Sequence, residues 1–283
     1  MDTISTGMSI AFAMECFENG ILTKEDTDGL ELKFGNGEAM LEMVKKIANR
    51  EGLGDLLAEG VKEAAKEIGD EAKKFALHVK GRELPMHEPR LKAGVGLGYA
   101  VAAIGADHTQ MEHDPVFADE NSMLKELNQI GILEPVESQD IGPRKVRLFK
   151  YLQQWWTLGD CVGLCMFTTA PARVWEIKQV PQMVNAVTGW DTTTWELMKL
   201  GERCDTMARA FNVREGFTKD DDWLPERFFE PLEGGPLEGD KLSKEEFEQA
   251  IETYYQMMCW DEKGVPTKTK LAELDVGWIA DEI

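Results

Sequence analysis

The first quarter of the chain carries apolar residues at the spacing of an amphipathic helix. The pattern predicts helices over residues 5–17, 38–49 and 53–68, with glycines after the second and the third. The apolar positions predicted to face a core are Met40, Leu41, Val44, Ile47 and Ala48 in the second helix, and Leu56, Leu57, Val61, Ala64, Ala65 and Ile68 in the third. We expect these two helices to pack as a hairpin.

The same spacing continues through the rest of the chain. It predicts further helices over residues 143–158, 171–188, 193–212 and 243–260. The last of them begins with Ser243 and Glu246, which form a capping-box pattern. Proline and glycine are dense over residues 220–240, which is typical of an irregular surface connection.

Residues 79–98 mark a change in organisation. Proline or glycine stands at positions 81, 85, 89, 94, 96 and 98, which indicates a crossing or hinge rather than a regular element. Alternating strand patterns are scarce along the chain, so a large sheet is not expected. The sequence therefore predicts an all-α fold with two domains, residues 1–76 and 77–283.

Composition narrows the function classes. The chain has 283 residues and a net charge of -21, which argues against nucleic acid or an anionic membrane as a partner because both need a basic face. No apolar run reaches the roughly 18 residues of a membrane span. The apolar start at residues 8–14 lacks a basic flank and indicates a buried helix that begins in mid-fold, not a secretion signal. Five scattered cysteines do not form a disulfide framework, so we expect a reducing, cytoplasmic setting.

The run Asp160-Cys161-Val162-Gly163-Leu164-Cys165 combines three chemical features at short spacing. Asp160 can accept two hydrogen bonds from a flat, donor-rich heterocycle such as a pterin. Gly163 has no side chain to keep such a group off the backbone, and Cys165 can offer a thiolate to an iron–sulfur cluster. One run could therefore join an organic redox cofactor to an electron carrier. The alternative is ordinary core packing of Leu164 and the cysteines.

Two histidines form a second candidate. Asp107, His108, Glu112 and His113 could form a His/carboxylate metal site, but histidines five residues apart do not share a helix face. A structural or capping role is the other interpretation. A glycine-rich approach, with glycines at 94, 96 and 98, leads to His108, where a titratable side chain could serve proton transfer. These glycines indicate close helix packing or a turn rather than a dinucleotide-binding loop, because no strand precedes them.

The chain resembles the C-terminal part of the tungsten-containing aldehyde:ferredoxin oxidoreductase family. The stretches that carry the resemblance are DTISTG at residues 2–7, GLGDLLAEGV at 52–61, KGRELPMHEPR at 80–90, GVGLGYA at 94–100, GADH at 105–108, DCVGLC at 160–165, FNVREGF at 211–217, DDWLPERF at 221–228 and YYQMMCWDEKGVPT at 254–267. They follow the family order and span nearly the whole chain.

The resemblance implies tungsten, or molybdenum, held by two pterin dithiolenes beside one [4Fe-4S] cluster, with aldehyde as substrate and ferredoxin as electron acceptor. It assigns Asp160, Gly163 and Leu164 to the second pterin motif and Cys165 to the fourth cluster ligand. Asp2 matches the closing acid of the first pterin motif. His108 matches a histidine near the metal that could relay protons or donate a hydrogen bond to substrate.

The departures from the family pattern are also informative. The β-rich, pterin-binding N-terminal domain and its Cys-x-x-Cys-x-x-x-Cys run are absent from the sequence, and one cysteine cannot hold a [4Fe-4S] cluster. We therefore expect the second and third family domains only, inactive and without cofactor when alone, with the missing domain as partner. A homodimer is compatible with this interpretation.

Two rival functions remain open at this stage. The chain could be a stand-alone helical subunit or interaction protein that pairs with a separate cofactor-bearing chain. Alternatively, Asp107, His108, Glu112 and His113 could bind a hydrolytic metal such as zinc.

Overall fold

The structure, a computed structural model, describes residues 1–169 and 174–283. Within them the chain divides into two compact units. Unit 1 consists of Met1–His87, Ile104–Asp107 and Leu224–Arg227, and unit 2 consists of Glu88–Ala103, His108–Trp223 and Phe228–Ile283. The domain boundary between residues 76 and 77 stays a prediction.

Unit 1 is helical and carries a short hairpin. Its elements are α1 (Thr3–Glu18), α2 (Gly37–Asn49), α3 (Leu53–Leu57), α4 (Val61–Ile68), a 3-10 helix (Asp70–Phe75), and the antiparallel strands β1 (His78–Val79) and β2 (Arg82–Glu83). The first two helices confirm the predictions for residues 5–17 and 38–49. The core of the unit includes Phe12, Ala13, Met43, Leu57 and Ala64.

The prediction of a single helix over residues 53–68 is wrong, because the helix is interrupted at Gly60. This residue has a φ of +87°, and a Cβ there would lie 2.8 Å from Oε1 of Glu83. The same Glu83 oxygen accepts a hydrogen bond of 2.8 Å from the backbone N–H of Val61, the first residue of α4. A carboxylate from β2 therefore caps α4 and separates it from α3.

The buried face of α2 also differs from the predicted stripe. Ile47 is buried as predicted, but Met40 and Leu41 are exposed, and Ala39 and Met43, which lie outside the predicted stripe, are buried. The predicted hairpin forms between α2 and α3, where Gly54 approaches the backbone of Lys46 so closely that a Cβ would lie inside 3.0 Å. This close approach sets which face of α2 is covered.

Two short segments from later in the chain complete unit 1. Gly105 lies against the carbonyl oxygen of Val79 at a φ of +86°, and a Cβ there would be inside 3.0 Å of that oxygen. Arg227 donates two hydrogen bonds, of 3.1 and 2.7 Å, to the carboxylate of Glu15 on α1. Such a two-point contact fixes orientation as well as charge pairing.

Unit 2 contains the longer helices. They are α5 (Ala93–Val101), α6 (Ser122–Glu126), α7 (Pro143–Cys161), α8 (Met166–Thr169), α9 (Gln179–Thr188), α10 (Thr194–Arg214), α11 (Lys244–Met257) and α12 (Lys268–Glu273). The predictions over residues 143–158, 193–212 and 243–260 are confirmed as α7, α10 and α11. The helix predicted from residue 171 begins at Gln179 instead, and its first three predicted positions, 171–173, lie outside the described residues.

The glycines at 94, 96 and 98 lie in a regular helix, α5, which corrects the prediction of an irregular segment up to residue 98. Close packing is the reason for them. A Cβ at Gly94 would lie 2.6 Å from Oδ1 of Asp114, and one at Gly98 would lie 3.0 Å from the ring of Phe149. The interpretation as close helix packing is therefore confirmed.

The connection over residues 220–240 is more buried than the predicted surface connection. It contains a 3-10 helix, Glu226–Phe229, and several of its side chains are buried. These are Asp222, Leu224, Phe228 and Phe229. No helix of the described parts of the chain is long and apolar enough to cross a membrane.

The contact between α7 and α10 leads to a first testable prediction. A Cβ at Gly201 would lie inside 3.0 Å of the backbone carbonyl of Gln154, so the two helices touch through their main chains. Replacing Gly201 by alanine should lower the free energy of unfolding by about 1–3 kcal/mol, because the helices must separate. Urea unfolding measures the change.

Gly7→Ala is the matched control, since Gly7 is an exposed glycine of α1 with nothing within 4 Å of its Cβ position. That substitution should be neutral or stabilise the protein by up to about 1 kcal/mol, as expected from helix propensity. Equal effects of the two substitutions would contradict the close contact.

Candidate cofactor-binding site

Asp160, Gly163, Leu164 and Cys165 lie on one turn that ends α7 and leads into α8. The backbone N–H of Gly163 donates to the carbonyl of Asp160 at 3.2 Å, and that of Leu164 donates to the carbonyl of Gly159 at 2.9 Å. The carbonyl of Cys165 accepts from the backbone and hydroxyl of Thr168, at 2.9 and 2.8 Å. Main-chain hydrogen bonds therefore hold the turn both before and after Gly163.

Gly163 gives this turn its shape. Its φ is +74°, a region that favours glycine, and no atom of the described residues lies within 4 Å of the position a Cβ would occupy. Asp160 and Cys165 on either side are exposed, and Leu164 is half-buried. A flat group could therefore approach the backbone at Gly163 while a carboxylate and a thiol stand beside it. The assignment of these residues to a pterin motif and to one cluster ligand stays a prediction.

The thiols of Cys161 and Cys204 form a pair next to this turn. Cys161 is exposed, and Cys204 on α10 is half-buried within hydrogen-bonding reach of it. Burial, followed by the neighbouring Cys161, raises the pKa of the Cys204 thiol to about 12. Cys204 is therefore a protonated thiol at neutral pH and a poor metal ligand.

His108 lies in the irregular segment between α5 and the 3-10 helix Asp114–Phe117. Its carbonyl oxygen is 3.3 Å from Nε2 of His113, and the centroids of the two imidazole rings are 5.8 Å apart. Nδ1 of His113 is 3.0 Å from Nζ of Lys92, at the N-terminal end of α5. No sequence pattern predicts this contact of Lys92 with His113, because the two residues are 21 positions apart.

Asp114 anchors the same segment. It is fully buried and accepts hydrogen bonds from the backbone N–H groups of Gly94 and Val95, at 2.9 and 3.0 Å. The ammonium group of Lys145 on α7 also donates to it. Asp114 therefore caps α5 and joins it to α7.

Asp2 belongs to unit 1, whereas Asp160–Cys165 belong to unit 2. Its Oδ1 accepts a hydrogen bond of 2.7 Å from the backbone N–H of Ser5, so it is the N-cap of α1. This gives Asp2 a structural role that is independent of any cofactor. Its assignment to a pterin motif stays a prediction.

The described residues do not form a complete metal site. Nowhere in residues 1–169 and 174–283 do three or more His, Cys, Asp or Glu side chains converge as a metal would need. Within these ranges, Asp107, His108, Glu112 and His113 are not brought together as the ligands of one metal ion.

Asp205 is a further buried acid that the sequence did not single out. It lies on α10, its Oδ1 accepts a hydrogen bond of 2.8 Å from the hydroxyl of Thr157 on α7, and its Oδ2 has no hydrogen-bond partner in the described portion of the chain. Burial raises its pKa to about 7, with smaller contributions from Glu202 and Asp160. Asp205 is buried because α10 packs on α7, and its partner Thr157 is 48 positions away in the sequence. No local sequence pattern therefore marks this acid.

Comparison with known proteins identifies the family. The model described as "Aldehyde ferredoxin oxidoreductase, domains 2 & 3" matches residues 1–276. A "Tungsten-containing aldehyde ferredoxin oxidoreductase" of Pyrococcus furiosus is 35% identical over 279 residues, which cover 98% of this chain and 43% of that protein. An "Aliphatic sulfonate oxidoreductase, WOR-like subunit" of the same organism is 29% identical and is covered to 42%, with 100% of this chain matched.

A solved structure agrees with these matches. The active site complex BamBC of benzoyl coenzyme A reductase with 1,5-dienoyl-CoA superposes with a TM-score of 0.76 at 26% identity, over 100% of this chain and 45% of that one. The chain thus spans less than half the length of the curated relatives that it matches. On this evidence the chain belongs to the aldehyde ferredoxin oxidoreductase family, in which it corresponds to domains 2 and 3.

Proposed function

We propose that the protein carrying this chain oxidises an aldehyde with water to a carboxylate and passes the two electrons to ferredoxin. The balance is RCHO + H2O giving RCOO⁻, three protons and two electrons. The observation that carries the proposal is the α7 turn, where exposed Asp160 and Cys165 flank the open backbone at Gly163. The identity of 35% to a tungsten-containing aldehyde ferredoxin oxidoreductase over 98% of the chain supports the reaction class.

Each residue of the turn has a distinct part in this proposal. Asp160 would accept hydrogen bonds from the N–H groups of a pterin, and Gly163 would let the ring approach the main chain. Leu164, half-buried, would hold the turn to the body of unit 2. Cys165 would be one thiolate ligand of a [4Fe-4S] cluster, and Asp2 would contact the other pterin. A tungsten or molybdenum bis-pterin supplies the two-electron oxidation when bound.

His108 would handle protons in the same scheme. The reaction releases three protons, and imidazole is the side chain that exchanges protons most readily near neutral pH. We propose that His108 accepts one of them or donates a hydrogen bond to the substrate oxygen. Its main chain is held by His113, so the ring can be presented reproducibly.

Partners follow from the part of the family that this chain spans. The remaining cluster and pterin contacts would come from a pterin-binding N-terminal domain, and the 283 residues alone would hold no cofactor. Ferredoxin as acceptor, a homodimer and a cytoplasmic setting belong to the same proposal. None of the five cysteines forms a disulfide in the structure, which is compatible with a reducing setting.

The test uses the complete protein, purified without oxygen from its own cells grown with tungstate. We expect aldehyde-dependent reduction of ferredoxin, about one tungsten and four iron atoms per chain, and no stoichiometric metal on the 283-residue chain alone. Cys165→Ala should lose iron and ferredoxin reduction. Cys259→Ala is the matched control, since Cys259 is also exposed and lies after α11, and it should keep both.

The other relatives indicate which alternative substrates this test should include. The sulfonate oxidoreductase subunit and the benzoyl coenzyme A reductase complex show that similar chains belong to proteins named for other substrates. Activity on an aliphatic sulfonate or on benzoyl-CoA, but not on aldehydes, would contradict the proposed substrate. It would leave the proposed cofactor site unchanged. Stoichiometric zinc in place of tungsten and iron would overturn the proposal.

A further inference from the structure

Lys92, His113 and His108 form a chain of contacts in unit 2 whose proton positions follow from chemistry alone. A lysine ammonium has only donors, so Nδ1 of His113, 3.0 Å from Nζ of Lys92, must be the acceptor. A neutral imidazole then carries its single proton on Nε2. A carbonyl oxygen can only accept, and Nε2 of His113 lies 3.3 Å from the carbonyl oxygen of His108. Both ends of the ring therefore agree on one tautomer.

The surroundings of Lys92 favour this arrangement. Burial lowers the pKa of Lys92, while the nearby carboxylates of Asp114 and Glu112 act in the opposite direction and favour its ammonium form. Asp114 is itself committed to the N-terminus of α5 and to Lys145. Among the described residues, the charged groups near His113 include the Lys92 ammonium on Nδ1 and the carboxylate of Glu112, whose Oε1 accepts a hydrogen bond of 3.4 Å from the backbone N–H of His113.

We infer that His113 is a positioning residue for His108: Lys92 fixes the Nε2–H tautomer of His113, and this N–H holds the main-chain carbonyl of His108 in place. Lys92 precedes the rigid helix α5, so the chain of contacts ties the irregular His108 segment to that helix at a point other than Asp114. The inference rests on the proposed function only for the part that His108 plays in proton transfer.

The tautomer can be tested on the 283-residue chain itself, without cofactor. The chain has four histidines, so nitrogen NMR of isotope-labelled imidazoles can be assigned by single substitutions. We expect His113 to carry its proton on Nε2, and its Nδ1 resonance to shift in Lys92→Met because the donor is gone. A proton on Nδ1 of His113, or an Nδ1 resonance that Lys92→Met leaves unchanged, overturns the inference.

A pair of substitutions at position 113 tests the positioning role. Glutamine keeps one acceptor and one donor at the end of its side chain, whereas phenylalanine fills similar space with neither. The carbonyl resonance of His108 should move in His113→Phe and stay near the original in His113→Gln. Thermal unfolding of both variants shows that each is folded, so that a lost contact is not mistaken for lost structure.

The same pair extends to the complete enzyme. In His113→Phe we expect kcat to fall on the order of 10–100-fold, with KM for aldehyde nearly unchanged, since a small displacement of a reacting group costs turnover rather than binding. His113→Gln should restore most of the loss. Equal loss in both variants overturns the inference. A wild-type protein without aldehyde activity defeats the proposed function instead, and leaves the NMR result to decide the inference.

Discussion

Replacing Arg209 by methionine is expected to lower the free energy of unfolding by about 3–5 kcal/mol, since it removes the cation from a buried ion pair. Arg209 on α10 is 1% exposed, and Asp222 is equally buried. The Arg209 guanidinium donates to Oδ2 of Asp222 at 2.8 Å and to the carbonyl of Gly264 at 2.8 Å. The hydroxyl of Tyr255 donates to the same carboxylate. Without the guanidinium the Asp222 charge stays in the interior and loses its main compensation.

Urea unfolding followed by circular dichroism measures this change. Arg214→Met is the matched control, because Arg214 lies on the same helix, is exposed, and pairs at 3.0 Å with the neighbouring exposed carboxylate of Glu215, with its guanidinium over the exposed ring of Phe211. That substitution should change stability by less than about 0.5 kcal/mol. The double variant Arg209→Met, Asp222→Leu should be more stable than Arg209→Met alone, since it removes the stranded charge as well. A single variant within about 1 kcal/mol of the wild type would contradict the account.

The helices that the sequence predicted well are those whose signals are local. Residues 193–212 carry a helical apolar period, and in the structure Thr193 and Glu196 form a reciprocal capping box at the start of α10. Ser243 likewise accepts from the backbone N–H of Glu246 at the start of α11. Where a residue within one turn supplies the cap, the sequence alone specifies the boundary.

The features that the sequence missed depend on distant partners. The break between α3 and α4 needs Glu83, which is 22 positions beyond the N–H it caps. The buried face of α2 shifts from Met40 to Ala39 and Met43 because Gly54 brings α3 close to it. Apolar periodicity gives two neighbouring stripes on α2, and only the packing partner selects one of them.

The candidate site shows the same division. Asp160 to Cys165 is contiguous, so a motif within one turn could be read without any knowledge of the fold. The contact of Lys92 with His113 and that of Thr157 with Asp205 join separate helices or segments, and no spacing rule predicts them. They are the contacts that set proton positions, which a linear motif cannot specify.

Asp205 should make the protein less stable as the pH rises from about 4 to 7, and Asp205→Asn should abolish that loss. The pKa of this carboxyl is about 7 in the folded protein, because it is buried, against about 4 in the unfolded chain. Below pH 4 both states hold the proton and there is no penalty. Between pH 4 and 7 the unfolded state releases it first, so stability falls by about 1.4 kcal/mol for each pH unit, on the order of 4 kcal/mol in total.

Asparagine is a close stand-in for the protonated carboxyl, since it keeps the acceptor for the Thr157 hydroxyl and carries no charge. The variant and the wild type should therefore have similar stability at about pH 4, with the variant more stable by about 4 kcal/mol above pH 7. Urea unfolding of both proteins across this range gives the difference, in which the other titrating groups largely cancel. Thr157→Val removes a hydrogen bond that favours the charged Asp205, so it should extend the fall in stability to higher pH. A difference between Asp205→Asn and wild type that does not change with pH would show that Asp205 is ionised in the folded protein throughout.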